Sequence, residues 1–154
     1  MSFVFKKLNL KDQAEIVVLD APASFEPEIA ALEGVAVRRS VDEVEQVQFS
    51  LAFVTRQAQI DQVAAQIAQK MDGDAVVWFA YPKGSSKRYQ CDFNRDTGWA
   101  ALGAAGFEPV RQVAIDADWS ALRFRRVEYI KKLTRSKLDA ISEAGKERTA
   151  AQGE

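Results

Sequence analysis

Histidine is absent from the 154 residues, and cysteine occurs once, as Cys91. Without an imidazole there is no Ser-His-Asp triad, no Cys-His pair and no histidine general base, so acid-base work would fall to Asp, Glu, Lys, Tyr or Cys. A lone thiol excludes an intramolecular disulfide framework, and the missing Cys/His set excludes structural zinc. No apolar run approaches the ~20 residues of a membrane helix. Residues 1–10 (MSFVFKKLNL) carry their lysines behind the apolar positions, unlike a secretory leader. A cytoplasmic protein without a membrane partner is expected. A dominant charge is lacking too, because 21 Lys+Arg stand against 22 Asp+Glu for a net charge of −1. Nucleic acid is therefore an unexpected partner, and any basic site must be local.

What is present suits one α/β domain. Hydrophobic residues make up 47% of the chain, enough to fill a single core at a length typical of one domain. Residues 15–20 (EIVVLD) read as a buried parallel strand ended by Ala21-Pro22. Ser24 is placed to cap a short helix to about Leu32, with Pro27 in its first turn and Gly34 past its end. Residues 35–38 form the next strand, 40–48 a loop or single helical turn, and 49–54 a third strand. Ile60, Val63, Ala64, Ile67 and Met71 make the clearest helical stripe, stopped by Gly73 at a turn into the strand 75–80. Asp96 or Thr97 then caps a helix bearing Trp99 and Leu102 that ends at Gly106. Residues 111–115 and 120–125 predict an antiparallel hairpin with Trp119, at its turn, the most exposed of the tryptophans. Parallel βα units followed by a hairpin predict a Rossmann-like three-layer fold over 1–127. Residues 128–154 read as a helical tail with a disordered end.

Ligands of open parallel sheets bind beyond the carboxyl ends of the strands. Three segments fall there: 20–25, 54–57 and the polar stretch 81–96. In the last, Lys83, Gly84, Ser85, Ser86, Lys87 and Arg88, joined by Asn94 and Arg95, combine cations, hydroxyls and a glycine suited to an anionic small molecule or an acidic protein surface. It is not a Walker A loop, since the order of glycine and lysine does not match. The plain alternative is a solvated loop whose cations meet water, Asp92 or Asp96. Cys91 beside Arg88 or Arg95 would be reactive if its pKa fell, and otherwise is a packed or loop cysteine.

Residues 49–127 resemble a class I S-adenosylmethionine-dependent methyltransferase shortened to its sheet: AVVWFAYPKG, GWAALGAAG, GFEPVRQVAI and DADWSALRFRRV follow the order in which that fold ends. The runs AYPKGSSK, DFNRDTGW and VRQVAIDADWSALRF are also similar to a family of short bacterial proteins to which no activity is assigned. The methyltransferase resemblance implies S-adenosylmethionine as cofactor, with Asp20 and the turn after it as its binding segment. The pattern departs there, because LDAPASFE replaces the glycine-rich turn and no glycine lies between Asp20 and Gly34. Strand two ends at Arg38 and Arg39 instead of an acid for ribose hydroxyls. Arginine there would suit a ribose phosphate, although the matching glycine fingerprint is missing. Residues 1–12 leave no expected N-terminal helical region or inserted cap.

Three functions follow as expectations. The first is a non-catalytic, Rossmann-like binding or interaction protein with an anion site in the loop 81–96. The second is a degenerate methyltransferase-like enzyme. The third is a subunit of a homo-oligomer joined through residues 129–141.

Overall fold

The β-branched run after Ala14 becomes β1 (Glu15–Leu19), and the sheet grows outward on both sides of it. The computed structural model describes residues 3–93 and 98–130. Its six-stranded sheet has the order β2-β1-β3-β4-β6-β5, with β2 (Ala36–Arg38), β3 (Val47–Phe53), β4 (Met71–Pro82), β5 (Phe107–Ala114) and β6 (Trp119–Arg126). The pairs β1/β2, β1/β3 and β3/β4 are parallel. β6 runs antiparallel to both β4 and β5, so the hairpin folds its second strand inward, between β4 and β5. This is a Rossmann-like α/β fold with a mostly parallel sheet and a C-terminal antiparallel hairpin.

Two apolar layers cover the two faces. On one, α3 (Gln57–Lys70) buries Ile60, Val63, Ala64 and Ile67 against Val54, Phe79 and Phe124, and α4 (Ala100–Ala104) adds Leu102. The other face holds Phe5, Leu8, Phe25, Phe49, Phe53 and Trp78 beneath α1 (Phe3–Lys7) and α2 (Glu26–Ala30). The alternation of β4 divides its side chains between the layers, Val77 and Phe79 to the first and Val76 and Trp78 to the second.

Several sequence expectations are corrected. Residues 3–7 are helical, and Phe5, Leu8 and Leu10 are buried, because their apolar side chains complete the second layer. Ser24 is not a cap; it lies inside the 3-10 turn Ala23–Phe25, which directs Phe25 into the core. The α3 helix stops at Lys70, and Met71 begins β4 instead of closing the helical stripe. Gly73, at φ 59, turns the chain within that irregular strand start, where the register with β3 shifts. Trp119 is buried at 3% exposure, packed edge-on to Phe53 and against Tyr89. Asp96, Thr97 and the tail beyond residue 130 lie outside the described residues.

Candidate functional site

At the carboxyl ends of β1 and β2 the chain leaves a crevice of about 310 Å³ lined by Asp20, Arg39, Ser40, Asp42, Gln59, Gln62 and Gln66, among others. Asp20 follows β1 with φ 55, a left-handed backbone that costs an L-residue roughly 1–2 kcal/mol. It thus adopts without glycine the conformation that glycine would adopt more cheaply. Asp42 enters from the 3-10 turn Val41–Glu43, whose start is fixed by the Ser40 hydroxyl accepting from the Asp42 N–H at 3.2 Å. Lys70 holds the same turn from beneath, its Nζ donating to the carbonyls of Val41 and Val44 at 3.0 and 2.9 Å. Gln59, Gln62 and Gln66 fall at i, i+3 and i+7 on α3, which places the three residues along one side of the crevice.

The arginines at the end of β2 already have counter-ions. Arg39 donates to both carboxylate oxygens of Glu26, at 2.9 and 2.8 Å, and Arg38 to Glu15 at 2.8 Å. The hydrogen bonds from Arg39 hold the Glu26 carboxyl below its ordinary pKa, and the same bonds raise that of Arg39. The ribose-phosphate reading of these arginines loses its footing, because the guanidinium fork of Arg39 is filled by protein. The N-terminus of α3 is filled likewise. Asp92 accepts from the Gln57 N–H at 2.8 Å, and Gln59 Oε1 accepts from the N–H groups of Thr55 and Arg56 at 2.8 and 3.0 Å.

In the polar loop, Lys83 donates its backbone N–H to the Asp118 carbonyl at 2.8 Å, and a turn closes by Ser86 N–H to the Lys83 carbonyl at 2.9 Å. The Ser86 hydroxyl donates to Asp118 Oδ1 at 2.9 Å and accepts from the N–H groups of Arg88 and Tyr89. Gly84, Ser85, Lys87 and Arg88 are exposed. Asn94 and Arg95 lie outside the described residues. Cys91 is half-buried, and its thiol donates to the Phe93 carbonyl at 2.8 Å. Of the residues singled out in the sequence, the crevice therefore holds Asp20 and Arg39. Asp42 and the three glutamines were not singled out; the only signal of the glutamines is their i, i+3, i+7 spacing beside the apolar stripe.

A larger hollow of about 440 Å³ lies at the amino edge, among Ala14, Glu15, Glu43, Glu45 and Gln46. The smaller crevice is the candidate site, since ligands of open parallel sheets bind beyond the carboxyl ends of the strands. Among the described residues no helix is long and apolar enough to cross a membrane, and no cluster of His, Cys, Asp and Glu could hold a metal ion.

No protein-family model matches the chain, and no curated protein matches it in sequence. Similar solved structures include one described as a type 11 methyltransferase from Sulfolobus solfataricus, with 9% identity over 79% of this chain and 90% of that one, at a TM-score of 0.49. The Methanococcus jannaschii fibrillarin pre-rRNA processing protein is 14% identical over 75% of this chain and 67% of its own, also at 0.49. The N-methyltransferase NodS from Bradyrhizobium japonicum WM9 is 12% identical over 73% of each chain, at 0.46. At such identities the likeness concerns fold alone. The strand order β2-β1-β3-β4-β6-β5 by itself makes the chain an α/β, Rossmann-like fold with a mostly parallel sheet.

Proposed function

We propose that the chain is a small-molecule-binding protein whose ligand lies in the crevice between Asp20, Asp42 and the glutamine face of α3. The observation that carries this reading is Asp20, a non-glycine residue held in a left-handed conformation at the mouth of the crevice. Strain of that kind persists only where the surrounding structure maintains it, and it concentrates at binding sites.

Charge narrows the ligand class. Asp20 and Asp42 bring two carboxylates, and the guanidinium of Arg39 is balanced by Glu26. The crevice therefore favours a neutral or cationic molecule that donates hydrogen bonds, such as one bearing hydroxyl or amine groups. Its volume is at the small end of ligand pockets, about 300–1,000 Å³, which suits a nucleoside better than a dinucleotide.

A second reading, a methyltransferase-like enzyme, is favoured by the crevice lying at the end of β1 in this strand order. Its residues fit S-adenosylmethionine in part: the carboxylates suit ribose hydroxyls and an ammonium group, and Asp20 replaces the glycine turn in backbone shape. That cofactor would supply an electrophilic methyl group, and positioning alone can carry much of such a transfer.

Isothermal titration with adenosine and with S-adenosylmethionine tests both readings. Binding of either that is lost in the Asp20→Ala, Asp42→Asn double variant supports the crevice. Binding of S-adenosylmethionine well above that of adenosine favours the enzyme. If neither binds at millimolar concentration, the nucleoside assignment fails.

A further inference from the structure

On the sheet face opposite α3, the hairpin carries an arginine arrangement that the crevice does not use. Arg123 and Arg125 are two residues apart on β6 and so point to the same face. Arg123 pairs in register with Trp78 of β4 on one side and with Arg111 of β5 on the other. Arg125 has a counter-ion: its Nε donates to Asp74 Oδ1 at 3.1 Å and its Nη2 to Oδ2, while Glu108 stands opposite it in register.

Arg123 has none among the described residues, and its buried Nε has no hydrogen-bond partner. Burial, then the nearby Arg125 and also Arg111, lower its pKa, and Asp74 offsets this only in part. Arg111 itself is exposed. Lys7 adds a further cation beside the same strand, its Nζ donating to the Ala114 carbonyl at 2.6 Å. A half-buried guanidinium directly across from another is an arrangement of like charges that an anion between them would complete.

We propose that Arg111 and Arg123 bind one tetrahedral oxyanion, a phosphate that is free or part of a small phosphomonoester. Planar guanidinium forks match phosphate oxygens two at a time, which a lysine cannot do. The net charge of −1 gives no long-range attraction for a polyanion, which favours a single phosphate over a nucleic-acid backbone. This site is separate from the crevice and does not depend on the nucleoside reading.

The test follows arginine Nε–Hε resonances by NMR during parallel titrations with inorganic phosphate and with ribose 5-phosphate at fixed ionic strength. The Arg123 resonance is expected to shift saturably in the wild-type chain. Arg111→Gln, a change at an exposed position, is expected to weaken binding about tenfold or more, the effect of losing one charge-assisted hydrogen bond. A Lys83→Ala, Arg88→Ala double variant is expected to bind as the wild type does. Tighter binding of the ester assigns the site to a phosphomonoester, and equal binding assigns it to the free ion. An Arg123 resonance that does not move, that moves only in step with every exposed arginine as for an adventitious ion only, or that titrates unchanged in Arg111→Gln overturns the proposal.

Discussion

The indole N–H of Trp78 donates to the carbonyl of Leu8 at 2.7 Å, joining the centre of the sheet to a segment 70 residues earlier. Trp78 is fully buried in β4, and Leu8 follows α1, so one bond fixes the N-terminal segment over the second apolar layer. Replacing Trp78 with Phe keeps most of the apolar contact but leaves the Leu8 carbonyl without its donor. A loss of about 1–3 kcal/mol is expected in urea unfolding, with faster amide exchange at Leu8 to Leu10. Phe5→Ala, which empties the pocket between Phe25 and Phe49, is expected to cost more, about 3–5 kcal/mol.

Asp20 sets stability against binding. Asp20→Gly removes the penalty of its φ of 55 and is expected to raise unfolding stability by up to about 1 kcal/mol, while removing a carboxylate from the crevice and weakening the ligand. Asp20→Ala loses the carboxylate and keeps the strain. Comparing the two variants by denaturant unfolding and by ligand titration separates the backbone from the side chain.

Asp92 is the loop's contribution to α3. Its carboxylate accepts from the Gln57 N–H, and its own N–H donates to the Thr55 carbonyl at 3.2 Å. Asp92→Ala is expected to lower stability by about 0.5–2 kcal/mol, the range for a lost N-terminal cap, measured by thermal or urea unfolding.

The Glu26 and Arg39 pair gives a pH dependence of known sign. The folded pKa of Glu26 is lowered, first by the hydrogen bond from Arg39, so its contribution is present above the unfolded value and is lost as pH falls through the folded one. A carbon-detected NMR titration of the Glu26 carboxyl is expected to give a midpoint below the reference 4.5, returning towards it in Arg39→Gln.

Gly98 tests the close approach behind α4. It has φ 90, and a Cβ added there would lie 2.7 Å from the Cβ of Phe93. Gly98→Ala therefore combines backbone strain with a steric overlap. A loss of more than about 1 kcal/mol is expected in urea unfolding.

Much of the scaffold was legible because its signals are local. The stripe Ile60, Val63, Ala64, Ile67 reports a helix, and EIVVL reports a buried strand, from neighbours in sequence alone. The insertion of β6 between β4 and β5 is a long-range pairing, and the hairpin pattern is the same whichever of its strands is inside. Trp119 misled for a similar reason: its position at a turn suggested exposure, whereas Phe53 and Tyr89, distant in sequence, enclose it. The crevice was least legible. Gln59, Gln62 and Gln66 look like any solvated helix face until Asp20 and Asp42 are brought opposite them, and the conspicuous charges of Arg39 and Asp92 are taken by the protein's own partners.

The side-chain amide resonances of Gln59, Gln62 and Gln66, followed while adenosine is added, test the crevice most directly. Saturable shifts are expected at these three amides and at the Asp20 and Asp42 backbone, and are expected to be absent in the Asp20→Ala, Asp42→Asn variant. Shifts confined to the 83–88 loop or the amino edge, or none at millimolar adenosine, would rule out the crevice as the ligand site.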